Sequence, residues 1–276
     1  MCRLFGMLSV KLASAAKYIL EDPCSLYAQS KADPKRLQGD GWGIGFYEDG
    51  SPKLIKSERP VYMEYEVLSS AVQHARSKVI LAHIRRASNP RGLPREKIIS
   101  KENSQPFSYG RYIFVHNGTI MIPDELADVL GDWKEKIRGF NDSEVYFWFL
   151  MKELHEGRAL SSALKRLKET LEDLWKEARR RHPDKKQPYV GLNMILSDGK
   201  CLYAYCGHGD YKTSSKSLCF GDQPVLEMSY VLDRDRLVVA SEKTNREENW
   251  KPINDGELLI SRIIDGEIVM EVKKIP

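Results

Sequence analysis

No apolar run in this chain approaches the ~20 residues that a membrane-spanning helix needs, and its start lacks the basic and apolar stretches of a signal peptide. Membrane association is therefore not expected, and a cytoplasmic location is. Cysteine is scarce: Cys2, Cys24, Cys201, Cys206 and Cys219 are five in number and contain no C-x-x-C pair. An odd count without paired spacing argues against a disulfide framework and against a ribbon-type zinc site. A Cys3His set from Cys201, Cys206, His208 and Cys219 is also unexpected. Residues 200–206 read as a strand, and the odd spacing sends Cys201 and Cys206 to opposite faces. No metal and no cofactor is expected. Gly39-Asp40-Gly41-Trp42-Gly43 lacks G-x-G-x-x-G spacing and no P-loop lysine follows, so nucleotide binding is unsupported. A broad basic surface is missing as well. The net charge is +4, and Arg179, Arg180, Arg181, Lys185 and Lys186, less Asp184, account for all of it. Three arginines at the end of a helical pattern complement a helix dipole, and nucleic acid is not an expected partner.

What is present is a hairpin-rich pattern. Extended runs recur at 3–10, 41–47, 78–85, 112–116, 189–197, 200–206, 227–232, 236–241, 257–263 and 267–272. Asp49-Gly50, Asp198-Gly199 and Asp265-Gly266 are turn signals, so the sheets should be largely antiparallel. Helical spacing occurs at 13–30 and 63–76. Leu160, Leu164, Leu167, Leu171, Leu174 and Ala178 mark the apolar face of a long amphipathic helix. Its polar face carries Glu172 with Lys176 and Glu177 with Arg181 at i, i+4. Asn141 with Glu144 gives a helix start of capping-box type. The run Tyr146-Phe147-Trp148-Phe149 behind it reads as core. With 42% hydrophobic residues in 276, one large core can form. No repeat or linker divides the chain, so one domain over 1–276 is expected, of the α+β class with antiparallel sheet layered on helices.

Cys2 carries the most chemical information. Removal of Met1 would place a thiol and a free α-amine on one residue. The amine titrates near ~8 and the thiol near ~8.5, so the amine can accept the thiol proton. An N-terminal nucleophile uses its amine in place of a histidine base. The competing view makes Cys2 a small apolar residue that opens a buried strand. Other segments weigh on the choice. His83-Ile84-Arg85-Arg86-Ala87-Ser88 ends an apolar strand, and a guanidinium fork there suits a carboxylate. His116-Asn117-Gly118 can be a plain turn, or an amide and a backbone N–H side by side, the two donors of an oxyanion hole. Asn141-Asp142-Ser143-Glu144 can cap a helix and also offer a carboxylate to an ammonium.

Taken in order, these segments resemble the class II glutamine amidotransferases, across roughly residues 2–150. Cys2-Arg3-Leu4-Phe5-Gly6 is similar to the family's opening, His83-Ile84-Arg85 to its His-x-Arg, His116-Asn117-Gly118 to its His-Asn-Gly, and Asn141-Asp142-Ser143-Glu144 to its Ser-Asp-Ser/Thr-Glu. The loop Asp40-Gly41-Trp42-Gly43 and the stretch Asn103-Ser104-Gln105-Pro106-Phe107 resemble its small, stand-alone branch. The resemblance implies a four-layer α/β/β/α sandwich of the N-terminal-nucleophile hydrolase type. It implies that Cys2 attacks the side-chain amide of glutamine, that Asn117 and the Gly118 N–H hold the oxyanion, and that Arg85 and Asp142 bind the α-carboxylate and α-ammonium. Ammonia would pass to water or to a separate ammonia-accepting enzyme. Arg85-Arg86-Ala87-Ser88-Asn89-Pro90 departs from the Arg-Trp-Ala-Thr-His-Gly of the sugar-phosphate-amidating members. That departure keeps a second expectation open, an amidase for another γ-glutamyl or small amide. A non-catalytic glutamine-sensing subunit is the third, for a chain that keeps Met1.

Overall fold

The computed structural model describes residues 2–209 and 214–276. Two antiparallel sheets stack face to face. The first runs β11-β9-β10-β1-β4-β2-β3 and the second β13-β12-β8-β7-β6-β5. In the first sheet, β1 is Arg3–Ala13, β2 Trp42–Glu48, β3 Ser51–Ser57, β4 Ser77–Ile84, β9 Met228–Leu232, β10 Arg236–Ala240 and β11 Lys251–Ile253. In the second, β5 is Phe107–Tyr109, β6 Tyr112–Ile120, β7 Tyr189–Ser197, β8 Cys201–Cys206, β12 Glu257–Ile264 and β13 Glu267–Lys274. The Asp-Gly pairs sit at the β2/β3, β7/β8 and β12/β13 hairpins. Asp49 (φ 49°) with Gly50 (φ 75°) and Asp265 (φ 51°) with Gly266 (φ 82°) take the left-handed conformations that such tight turns demand.

Alternation along each strand sorts the core into three layers. Phe5, Met7, Ile44, Ile80, Ala82 and Val238 face outward from the first sheet, against Tyr18, Ile19 and, on α2 (Tyr65–His74), Leu68 and Val72; the short α3 (Arg95–Ile98) follows β4. Leu4, Leu8, Val79, Leu81, Ile113, Val115 and Ile195 fill the space between the sheets. Phe114, Leu192, Met194 and Leu196 face outward from the second sheet, under α4 (Pro123–Asp128), α5 (Asp142–His155) and α6 (Leu160–Ala178). The result is the α/β/β/α sandwich. The leucine stripe of α6 is buried at Leu160, Leu164, Leu167 and Leu171, each such side chain contributing about 1.5–3 kcal/mol. Tyr146, Phe147, Trp148 and Phe149 are core. The opposite faces expected for Cys201 and Cys206 are also found: Cys206 points between the sheets, and Tyr203 and Tyr205, in step with Cys201, pack on the helical side.

Several expectations are corrected. Residues 13–30 do not form one helix: β1 continues to Ala13, a single π-helical turn covers Lys17–Glu21, and α1 is Leu26–Lys31. The Ser25 hydroxyl caps α1 by accepting the Ala28 N–H, which restarts the helix there. On α6 the expected i, i+4 pairs give way to others. Lys176 meets Asp173 at 2.6 Å, and Arg181 reaches Glu125 of α4 at 3.2 Å. Glu144 bonds the Arg138 and Gly139 N–H groups rather than closing a capping box on Asn141. Finally, Cys24 and Cys219 form a disulfide across a sequence separation of 195. The odd count argued against a network of bridges, and a single bridge between distant segments leaves no spacing signature. The bridge also removes Cys219 from the Cys201, Cys206 and His208 set. Among the described residues no helix is long and apolar enough to cross a membrane.

Candidate active site

The geometry starts from β1 and β4. Leu4 pairs with His83 and Arg3 with Ile84, so the continuing register sets Cys2 beside Arg85. Leu4 faces the space between the sheets. Alternation therefore turns Cys2, His83 and Arg85 the same way and Arg3 the other. On β6, Ile113 and Val115 face that space from the second sheet, which turns Asn117 toward the first. Cys2, Arg85 and Asn117 thus share one interior, reached from two sheets.

Cys2 is nearly buried. Its Sγ lies 3.3 Å from the Arg86 carbonyl oxygen and accepts the Arg86 N–H at 3.4 Å. A backbone donor at that place can steady a thiolate. Asn117 is fully buried, and neither Nδ2 nor Oδ1 has a hydrogen-bond partner among the described residues. Buried amides are rarely left unpaired, and each orphaned group costs about 1–3 kcal/mol. An unpaired buried donor is what an oxyanion site needs before substrate arrives. Next to it, a register irregularity in the β6–β7 pairing falls between Gly118 and Thr119. A Cβ on Gly118 would stand 2.0 Å from the Gly191 carbonyl oxygen, so only glycine permits that approach.

His116 anchors this segment instead of acting in it. Its Nε2 donates to the Gly191 carbonyl at 3.2 Å, which leaves Nδ1 to accept from Ser143 Oγ at 2.9 Å. Burial holds its pKa down at about 4, partly offset by the Gly191 carbonyl. Gln105 clamps the His116 backbone on both sides, accepting its N–H at 2.6 Å and donating to its carbonyl at 3.1 Å. His83 is likewise fully buried, and burial, then the Arg85 charge, push its pKa well below the usual histidine value. Both rings are neutral at pH 7.

The two expected recognition residues are both buried. Arg85 Nη1 donates to the Ile98 carbonyl at 2.7 Å and to the Asp40 carbonyl at 3.4 Å. Its Nε and Nη2 meet no protein acceptor among the described residues, leaving an edge of the fork open to a carboxylate. Burial lowers its pKa, against attraction from Cys2, Asp142 and Asp40. Asp142 opens α5. Its Oδ1 accepts from Ser88 Oγ at 2.9 Å and its Oδ2 from the Ile120 N–H at 2.7 Å. Burial raises its pKa, and the two hydrogen bonds and the Arg85 charge oppose that rise. Asn141 caps the helix through the Ser143 N–H at 2.9 Å, so Asp142 is spared that duty. A cationic and an anionic side chain are thus both buried here, and their charges act on one another.

The loops that hold these groups account for the glycines before β2. The Arg85 N–H donates to the Gly41 carbonyl at 2.8 Å, and the Asp40 N–H to the Arg85 carbonyl at 3.1 Å. Gly41 has φ +113°, and a Cβ there would stand 2.4 Å from Ser104 Oγ. Asp40 accepts from the Ala87 N–H and pairs with Arg95. On the far face of β1, Arg3 and Glu242 form a buried ion pair at 2.9 Å. Glu242 also accepts the Leu218 and Cys219 N–H groups at 2.8 Å each. Ser88, Gln105 and Asp40 lie inside segments the sequence singled out, without roles assigned to them. Glu242 carried no signal: a lone glutamate after a strand gains meaning only from Arg3. Cys24, Cys219 and Glu242 bring their ligand atoms within 4.8 Å, but the sulfurs are bonded to each other and the carboxylate to Arg3. Cavity volume points elsewhere. A cavity of about 620 Å³ is lined by Lys56, Phe107, Tyr109, Glu144 and Trp148 among others and does not include Cys2. Convergence of side chains, not size, marks the candidate site.

The family model for class-II glutamine amidotransferases matches residues 1–275. The chain belongs to that family. It is 27% identical over 255 residues to an uncharacterized protein of Methanocaldococcus jannaschii, covering 86% of this chain and 64% of that one. It is 32% identical over 124 residues to the gamma-glutamyl-hercynylcysteine sulfoxide hydrolase of Mycobacterium tuberculosis, covering 44% of this chain and 50% of that one. The chain thus matches about half to two thirds of the length of these relatives. Among solved structures, a glutamine aminotransferase class-II domain protein of Silicibacter pomeroyi superposes with a TM-score of 0.62 at 19% identity, covering 100% of both chains. That likeness is one of fold.

Proposed function

We propose that this family member hydrolyses the side-chain amide of glutamine, or the equivalent amide of another γ-glutamyl compound, through a γ-glutamyl thioester on Cys2. The observation that carries the proposal is the buried Asn117 amide, unpaired and turned toward the interior that Cys2 and Arg85 share. Met1 lies outside the described residues, and its removal is part of the proposal, because the Cys2 α-amine is the base. The amine takes the thiol proton and the thiolate attacks the δ-carbon. Charge collects on the carbonyl oxygen, where Asn117 Nδ2–H and the Gly118 N–H stabilise it. The C–N bond then breaks. The leaving nitrogen takes the proton from the Cys2 α-ammonium and departs as ammonia or an amine. Water, deprotonated by the same amine, cleaves the thioester, and glutamate leaves. Arg85 and Asp142 hold the α-carboxylate and α-ammonium away from the reacting carbon. Ammonia goes to water or to a separate acceptor enzyme.

The test is product formation. The purified chain should release glutamate and ammonia from glutamine in equal amounts, and Cys2→Ala should release neither while unfolding as wild type does. Equal turnover by wild type and Cys2→Ala would defeat the proposal.

A further inference from the structure

The backbone of Arg86 lies against the nucleophile: its N–H and its carbonyl both touch Cys2 Sγ. Its side chain is exposed, whereas Arg85 and Asp142 are buried. The γ-glutamyl part of a substrate held by those two occupies the interior. The group on the far side of the scissile nitrogen must therefore project outward, past residue 86.

Charge bookkeeping along this loop separates Arg86 from its neighbours. Arg91 pairs with Asp124 at 2.7 Å and with the Phe140 carbonyl at 2.8 Å. Arg95 pairs with Asp40 at 2.5 Å. Arg85 is held by two backbone carbonyls. For the Arg86 guanidinium no hydrogen bond or ion pair is found among the described residues. Its charge is close enough to act on Arg3 beneath the nucleophile. A guanidinium without a protein partner, carried by the residue whose backbone touches the reacting sulfur, is suited to receive a carboxylate. Glutamine, whose leaving group is ammonia, has nothing to offer it. A γ-glutamyl amino acid or peptide does: its leaving amine carries a carboxylate two bonds beyond the scissile nitrogen.

From this the geometry points to γ-glutamyl compounds with an anionic leaving amine as the preferred substrates, with Arg86 as the residue that selects them. The inference rests on the proposed thioester chemistry. The bond broken is the same γ-amide C–N bond, and the leaving nitrogen takes its proton from the Cys2 ammonium, so that a free amino acid departs in place of ammonia.

The test compares γ-glutamylglycine with γ-glutamylglycinamide, which differ only in the leaving group's carboxylate, and includes glutamine. Wild type should prefer the acid over the amide by about tenfold or more in kcat/KM, the order expected of one charge-assisted hydrogen bond. The preference should shrink as ionic strength rises. In Arg86→Gln the ratio should fall to about one, and Arg86→Lys should keep part of it. Because the ratio is taken within one protein, a general loss of activity in a variant cancels. A wild-type ratio near one, or an undiminished ratio in Arg86→Gln, would overturn the assignment. Cleavage of glutamine alone would overturn it and leave the glutaminase proposal standing. Cleavage of none of the three by wild type would overturn both.

Discussion

Replacing Asn117 by leucine separates catalysis from stability at the candidate site. Leucine is close to asparagine in shape and has no polar atom. Asn117 is fully buried, and both its amide atoms lack partners. The substitution therefore breaks no side-chain hydrogen bond of the resting protein. It instead removes a buried group whose desolvation goes uncompensated, at a cost of about 1–3 kcal/mol. The variant should unfold at the same urea concentration as wild type or higher, with a gain of up to about 2 kcal/mol. Turnover should go the other way. Loss of one oxyanion donor costs about 10²–10³ in kcat, while KM moves little, because the donor acts on charge that develops in the transition state. Chemical denaturation and a coupled glutamate assay on the same preparations measure both. A variant that keeps its turnover and loses several kcal/mol of stability would make Asn117 a structural residue and refute the reasoning.

Other expectations follow from the same geometry. Arg85→Gln and Asp142→Asn should each lower kcat/KM about ten- to a hundredfold, since each removes a charge-assisted contact worth roughly 1.5–3 kcal/mol; an unchanged kcat/KM would take either residue out of substrate binding. Asp142 must be ionised to hold an ammonium and its pKa is raised by burial, so the acid limb of kcat/KM should lie above the ordinary aspartate value of ~3.9 and vanish in Asp142→Asn. His116 is held at about 4 in the folded state, so below its unfolded value of ~6.5 the unfolded chain binds the extra proton. Stability should therefore fall by up to about 3 kcal/mol as pH drops from ~6.5 to ~4; His83, shifted the same way, adds to the slope, and a flat profile would contradict both neutral rings. Thiol titration of unfolded, unreduced protein should find only Cys2, Cys201 and Cys206 free, and reduction of the Cys24–Cys219 bridge should cost about 2–5 kcal/mol; a count of five would remove the disulfide.

The antiparallel strands were legible because period-two alternation and Asp-Gly turns are local signals, while the four-layer sandwich was implied by the family resemblance. Ten extended runs led to strands, and the leucine stripe of α6 gave a helix with its buried face assigned. The strands left out are those that alternation describes poorly. β3 is a half-exposed edge strand containing Pro52 and two lysines, while β5 and β11 are three residues each. The failure at 13–30 has a similar cause. Its helical spacing is real, but tertiary pairing of Ala13 with Ser77 extends β1 through the first part. At the candidate site, the segments around Cys2, Arg85, Asn117 and Asp142 could be singled out because each is a compact motif, and their roles came from the family resemblance. Gln105 on the His116 backbone, Ser88 on Asp142 and Glu242 on Arg3 could not. Each is a contact across 11 to 239 residues of sequence, and no spacing encodes it. The same holds for the Cys24–Cys219 bridge.

The central claim is that Cys2 acts as an N-terminal nucleophile. Intact-mass analysis of the native protein after treatment with a diazoketone analogue of glutamine tests it most directly. The account predicts a chain that begins at Cys2 and carries one adduct, mapped to Cys2, with Cys201 and Cys206 unmodified and activity lost in proportion. A fully active chain that retains Met1, or inactivation with the adduct on Cys201 or Cys206, would contradict it.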